Sequence, residues 1–408
     1  MAGPARIRTS LLVLAYFAFV SLGLPDGLLG VAWPSMSGDF RVPRESIGIL
    51  LIVATTGYLI SSVAAGFTVS RFGVGWLLAG STALASLALF GYATSPAFAL
   101  TVVAALFAGF GGGAIDSGLN AYAASAFGPR HMNWLHAFFG LGVAIGPLIM
   151  TAAINGPSWR LGYVVVASGQ AVLALAFVLT SRRWGERPVP VISAHAEPVR
   201  GHETLLMPIV WIGVLAFAVY VAVEVGAGLF AYQLLTEARG LSDTIAGVCV
   251  SIYWGALFVG RVVQGFVSER LGAGRVLAAS LAGMVAGSAL VAVPGPGWLT
   301  AFGLAVIGFA AAPVFPLLTL TTADRVGAAH ADRAIGMQIG GAGLGGAVIP
   351  AGVGVLLGAA GVGMLGPSLV VLSVLLVVLY LVATKGGIRP TGRPAAVPTR
   401  APPPTPAA

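Results

Sequence analysis

Long apolar runs, separated by short clusters of charged and turn-forming residues, make up most of the chain. Stretches such as Trp76–Leu89 and Leu369–Val382 show no amphipathic period, as expected of helices with apolar surroundings on every side. Apolar runs of at least ~18 residues mark membrane-spanning helices. Breaking the chain at the polar clusters predicts twelve of them, at about 10–35, 46–69, 74–94, 97–125, 133–155, 160–181, 206–236, 242–268, 274–294, 298–322, 333–358 and 364–384. The longest polar connection, 182–205, contains Arg182, Arg183, Arg187 and Arg200 and divides the spans six and six. The expected organisation is a six-helix bundle over 1–181, a linker over 182–205, a second bundle over 206–385 and a tail over 386–408. That tail, with Pro390, Pro394, Pro398 and Pro402–Pro404, reads as disordered by composition. Arg6 and Arg8 precede an apolar run longer than a signal peptide's core, so that run reads as an uncleaved first span.

Composition sharpens the class. Of 408 residues 58% are hydrophobic and 8% charged, against roughly 25% charged in soluble domains. The 58 glycines would weaken soluble helices, but in a bilayer they let backbones approach closely. The single cysteine, Cys249, excludes an intrachain disulfide and a cysteine metal cluster; its simplest role is packing. Sixteen of the 21 Lys+Arg residues fall on even-numbered connections and the termini, including Arg71, Arg130, Arg270, Arg275, Arg325 and Arg333. The odd-numbered connections carry Arg41, Arg44, Arg160 and Arg239, and Arg261 lies within a span. The positive-inside rule then puts both termini and the linker in the cytoplasm. The net charge of +8 thus reflects orientation, with affinity for anionic lipid as a compatible reading; no nucleic-acid partner is expected.

The halves repeat at a constant offset of 199 residues. Gly66-Phe67-Thr68-Val69-Ser70-Arg71-Phe72-Gly73 aligns with Gly265-Phe266-Val267-Ser268-Glu269-Arg270-Leu271-Gly272, Gly48 with Gly247, Gly109-Phe110 with Gly308-Phe309, His131 with His330 and Gly142 with Gly341. Parallel duplication of a six-helix unit places a binding site near the midplane between halves that rock. The 66–73 segment and its copy resemble the loop motif of the major facilitator superfamily, over essentially all of residues 8–385. That resemblance implies an all-α membrane protein with twelve transmembrane helices in two pseudo-symmetric six-helix bundles, and gating roles for Arg71, Glu269 and Arg270. Ser70 stands where the motif has an Asp, which weakens the first-half charge relay. Gly27-Leu28-Leu29-Gly30-Val31-Ala32-Trp33-Pro34, Leu135–Gly142 running to Gly146-Pro147, Tyr220–Glu224 and Gly336-Met337-Gln338 are similar to the fucose, glucose and galactose proton-symporter branch. In that branch acidic residues of the first and fourth helices couple protons and bind sugar; Asp26 and Asp116 fall at those places.

Four fully ionisable side chains lie well inside predicted spans: Asp26, Asp116, Glu224 and Arg261. A charge at a helix centre costs at least ~2.5 kcal/mol on insertion scales, so each needs a reason to be there. Burial disfavours a charged carboxylate, which suits proton binding near neutral pH. Asp26 and Asp116 are accordingly candidate proton carriers, or else hydrogen-bonded clamps between helices. Asp26 sits between Pro25 and Gly27, where a local break would free backbone groups for a ligand. Asp116 follows three glycines, with Asn120 one turn later on the same face. Glu224, missing the mirror of Asp26 by one position at the 199 offset, is a third proton-coupling candidate or a partner for Arg261, itself read as structural or gating. His136 suits proton or substrate contact, or is an ordinary hydrogen-bonded His; His131 reads as a loop residue. Asn120, Gln233 and Gln338 offer paired donors and acceptors for sugar hydroxyls. Tyr232 accompanies them, and Trp33, Tyr58, Tyr253 and Trp254 are stacking faces or interface anchors.

No catalytic constellation, phosphate-binding loop or metal-ligand spacing is present in the sequence, and Gly340–Gly346 suits helix packing. The expectation is therefore no enzyme and no cofactor. Instead it is a secondary transporter, working as a monomer in a bacterial plasma membrane, that takes up a small neutral polar solute such as a sugar with protons. Proton-driven efflux of drug-like or cationic compounds is the alternative; a receptor, a membrane enzyme and a channel are disfavoured.

Overall fold

The computed structural model describes residues 9–127, 129–185 and 201–386, apart from a few side chains near helix ends. The linker segment 186–200 and the proline-rich tail 387–408 lie outside the described residues. Among those described, twelve helices are long and apolar enough to cross a membrane, and no strand occurs. They are α1 (Thr9–Phe40), α2 (Ile47–Phe72), α3 (Val74–Thr94), α4 (Phe98–Ala126), α5 (Pro129–Asn155), α6 (Trp159–Thr180), α7 (Pro208–Gln233), α8 (Asp243–Leu271), α9 (Ala273–Ala292), α10 (Gly297–Leu320, interrupted at Ala312–Pro313), α11 (Ala328–Ala360) and α12 (Leu365–Gly386). The expected spans are all present. Several helices outrun them: α1 reaches Phe40, α5 begins at Pro129 and α11 at Ala328. Hydropathy marks where the hydrocarbon ends, whereas the backbone stays hydrogen-bonded into the polar zone.

Packing repeats between α1–α6 and α7–α12. The pairs α1·α5, α2·α4, α3·α6 and α3·α4 recur as α7·α11, α8·α10, α9·α12 and α9·α10. Glycines make the closest of these contacts. A Cβ on Gly109 would lie 1.9 Å from the Ala54 carbonyl oxygen, and one on Gly308 2.3 Å from that of Tyr253, so both the glycines and their partners stand 199 apart. Each copy of the loop motif ends on a glycine in the left-handed region, Gly73 (φ 82°) and Gly272 (φ 83°). The N–H of each caps its helix, on Val69 and Ser268 respectively, and the next helix starts at once. A β-carbon is disfavoured at that φ.

One pair of helices departs from the 199 offset. Val20 lies against Gly142 and Leu24 against Gly146 in the first half; Val214 lies against Gly341 and Ala218 against Gly345 in the second. The α5 and α11 partners keep the offset, but α1 maps onto α7 at 194. The counterpart of Asp26 is therefore Tyr220, and the near-mirror relation of Asp26 to Glu224 is an accident of numbering. Register returns where the helices end, since Arg41 (φ 54°) and Gly240 (φ 67°) both take left-handed geometry. The intervening five residues match a π-helical turn, Leu234–Ala238, which extends α7 by one wide turn.

Several carbonyls, beside a helix proline and at helix ends, are closed by side chains. Pro25 cannot donate to the Ser21 carbonyl, and Gln170 Nε2 of α6 donates to that oxygen at 2.9 Å instead. The helix runs through Pro25 unbroken, so the expected free backbone group is already taken. The arginines of the odd connections cap carbonyls in parallel ways. Arg160 donates to the carbonyls of Ala93 and Ser95 at the end of α3, and Arg239 to those of Val291 and Val293 at the end of α9. Cations at helix C-termini offset the exposed carbonyl charge. Arg325, 8% exposed, donates to the carbonyls of Leu318 and Thr321 at the end of α10; burial lowers its pKa. Replacing it with Met keeps the volume and strips those bonds. Arg325→Met is expected to lose roughly 2–3 kcal/mol, seen as a lower thermal midpoint in detergent.

Candidate functional site

Contacts between the halves run through α1·α7, α5·α8 and α2·α11, and they crowd toward one face. There a Cβ on Gly30 would lie 2.6 Å from the Leu229 oxygen and one on Gly48 2.7 Å from Ala351 Cβ. Ser251 of α8 donates to the Ala144 carbonyl of α5, and Asn155 Nδ2 donates to Thr244 Oγ1 at 2.9 Å. Arg44, in the turn after α1, pairs with Glu237 in the π turn after α7 at 2.7 Å. Trp33 Nε1 holds that turn by donating to the Arg44 carbonyl at 2.6 Å. Toward the other face, which carries the described chain ends, the halves part. A Cβ on Gly66, Gly336 or Gly340 would meet no neighbour within 4 Å, and His136 is exposed. The result is a cleft, sealed at one face and open at the other.

Polar side chains line it from both sides. On the first half, Asp116 of α4 accepts from Tyr58 Oη of α2 at 2.6 Å and from Asn120 Nδ2 at 2.9 Å. Asn120 sits one turn on, as its spacing requires, and its own Oδ1 is buried without a partner. Asp26 of α1 opens onto the cleft from mid-helix, within electrostatic reach of Tyr58. No hydrogen bond or ion pair joins Asp26 to a described residue. On the second half, Glu224 of α7 accepts from Tyr220 Oη and pairs with Arg261 of α8 at 3.5 Å. Tyr253 Oη donates to the Glu224 carbonyl at 2.7 Å. His136 of α5 lies between the two groups, within electrostatic reach of Asp116 and of Arg261, its ring edge-on to Phe19. One polar track thus runs from Tyr58 across the half boundary to Tyr220.

Other candidates lie elsewhere. Gln338 is 1% exposed and accepts from Thr322 Oγ1 at 2.9 Å, beneath α7. Tyr232 and Gln233 are buried near the sealed face, where Gln233 Nε2 reaches Glu237 at 3.5 Å. Trp254 is also buried, its ring 2.1 Å from where a Gly228 Cβ would be. The structure does not bring these four into the cleft. Trp33 and Tyr253 are buried with their polar atoms bonded, so of the four aromatic candidates Tyr58 alone faces it. Arg71 is exposed with its guanidinium 5.7 Å above the Phe72 ring, Arg270 is exposed, and the Glu269 side chain lies outside the described residues. His131 is a helix residue, accepting or donating at 2.7 Å with Tyr16. Its repeat partner His330 meets Thr204 at 2.9 Å. Sequence reasoning missed the Arg44–Glu237 pair, for which spacing carried no signal.

A twelve-helix bundle with a polar cleft between duplicated halves is the build of a membrane transporter. The model of the Major Facilitator Superfamily matches residues 15–235 and again 214–406, and the chain belongs to that family. The glucose/mannose transporter GlcP of Bacillus subtilis is 22% identical over 343 residues, 82% of this chain and 84% of the relative. The human sodium-dependent glucose transporter 1 is 24% identical over 84% of this chain and 72% of its own. Among solved structures, a point-substituted nucleoside transporter NupG superposes with a TM-score of 0.73 at 16% identity, covering 91% of this chain and 98% of that one. A bacterial homolog of the human lysosomal transporter Spinster, inward-facing and occupied, gives 0.73 at 15% identity over 95% and 100%.

The Arg44–Glu237 pair is about 40% exposed on each side, which limits it to ~0.2–1 kcal/mol. It can bias closure of the sealed face without locking it. Arg44→Glu is expected to raise the accessibility of cysteines placed along that face severalfold, and Arg44→Glu with Glu237→Arg to restore it. Equal accessibility in all three proteins would show that the pair does not hold that face closed.

Proposed function

We propose that the protein imports a small neutral polar solute, a sugar for preference, together with protons, by alternating access. The two units 1–181 and 206–385 rock about the cleft. Charge asymmetry supports a bacterial plasma membrane with both termini and the open face cytoplasmic, which makes the present state inward-open. The observation that carries the reading is Asp26, an acidic side chain at mid-span, open to the cleft and paired with no described residue. Closing the cleft over an ionised Asp26 carries the cost of a buried charge, at least ~2.5 kcal/mol. Protonation removes that cost, which ties closure over bound substrate to a proton.

Asp116 supplies the second element. Tyr58 and Asn120 hold its two oxygens, and a substrate diol replacing one of them would be recognised by geometry and charge. His136 adds a group from α5. Glu224 acts as the counter-ion that keeps Arg261 in place at the half boundary, with Tyr220 fixing its other oxygen. Relatives named as transporters of glucose, mannose and galactose support a hexose-like cargo. One specific observation favours the alternative of cation efflux: Asp26 and Asp116 face a single cleft whose one arginine is already paired.

Substrate-induced proton flux in proteoliposomes separates these readings. Alkalinisation outside on adding a sugar supports symport, proton release on adding a cationic dye supports efflux, and flux that needs sodium replaces the proton. Asp26→Asn and Asp116→Asn are each expected to abolish proton-driven accumulation while leaving sugar counterflow within about tenfold. Loss of counterflow along with folding would support a clamp instead. Arg261→Ala is expected to lower assembly or turnover with substrate preference unchanged, read from relative rates across the sugar panel.

A further inference from the structure

A second polar site lies away from the cleft, on the face that carries the chain ends. A cavity of about 580 Å³ opens where the α2–α3 turn meets the end of α6. Arg71 enters it from α2 and Arg182 from the turn after α6; neither forms an ion pair with a described residue. Among the described residues, no acidic side chain lines the cavity. Ser70, which stands where the motif has an acid, turns its hydroxyl back to the Phe67 carbonyl. The first turn of α3 forms the floor. The first backbone bond into that helix is Leu77 N–H to Gly73, so the N–H groups of Val74, Gly75 and Trp76 have no intrahelical acceptor. Gly75 permits this crowding, since a Cβ there would sit 2.1 Å from the Ser181 oxygen. Trp76, 54% exposed, and Phe72, 59% exposed, stand at the rim as interface aromatics do.

We infer that this cavity binds the phosphate of an anionic phospholipid headgroup. Two fork-shaped guanidinium groups and a helix N-terminus match a phosphodiester. The exposed aromatic rim sets the site at the depth where headgroups lie, and the two cations disfavour a choline beside the phosphate. The equivalent turn of the second half is differently equipped. Arg275 replaces Trp76 at the 199 offset, and Glu269 replaces Ser70. Duplication therefore gives two turns but one such site.

Native mass spectrometry of the full-length protein in detergent tests this, with short-chain phosphatidylglycerol, phosphatidylcholine and inorganic phosphate as probes. One phosphatidylglycerol is expected to be retained in preference to phosphatidylcholine. Arg71→Gln with Arg182→Gln should weaken that retention roughly tenfold to thirtyfold, and Arg71→Lys with Arg182→Lys should keep most of it. Arg270→Gln with Arg275→Gln, removing the same charge from the other turn, should leave it within about twofold. Equal loss from both Gln pairs would show diffuse surface attraction and overturn the site. Inorganic phosphate competing as well as the lipid would overturn the lipid assignment. Matched thermal midpoints without added lipid serve as the folding control.

Discussion

Inside a bilayer a polar group finds its partner within the protein or remains without one, because no water is at hand to replace it. The structure reads as a series of answers to that demand. A proline in α1 strands the Ser21 carbonyl, and an amide from α6 reaches across to take it. The carbonyls at the ends of α3, α9 and α10 are each met by an arginine. In the cleft, Asp116 and Glu224 are each held by a tyrosine and one further group. Asp26 differs from those two carboxylates in having no hydrogen bond or ion pair with a described residue, and it lies where the halves meet.

The fold was legible because hydropathy reports the surrounding medium directly. A span must be apolar all round, and the duplication shows as glycines at a fixed offset, which the Gly109 and Gly308 contacts explain as matching backbone approaches. The site was legible only as far as local spacing reaches. Asp116 and Asn120 share a face by their four-residue separation. The third member, Tyr58, comes from another helix, and the sequence could offer it only as an aromatic surface. Glu224 had two readings, proton carrier and partner of Arg261, and packing brings the pair together. Gln338 looked suited to sugar hydroxyls because amides are, but its oxygen is spent on Thr322. A polar side chain in a span announces that it has a partner; it does not say whether that partner is protein or cargo.

The halves differ most where they need to. The first contributes carboxylates to the cleft, one of them unpaired with any described residue. The second contributes a neutralised acid–base pair hemmed in by two phenols. His136 stands between them at the crossing of α5 and α8, where a change in either charge group would be felt by the other half. Close helix contact confined to one face leaves the opposite ends of α5 and α8 free to separate, which is what a rocking motion requires.

The π turn at Leu234–Ala238 carries a historical implication. Those five residues make up the difference between the 194 and 199 offsets, and they include Glu237, the acid that meets Arg44. The first half has no corresponding turn, so the pair cannot have been inherited twice from the ancestral six-helix unit. The position that mirrors Arg44 at the 199 offset is Asp243, so the pair has no symmetric copy among the described residues. The seam between the halves is therefore not built of repeated parts alone: one of its contacts exists once, in a turn that only the second half possesses.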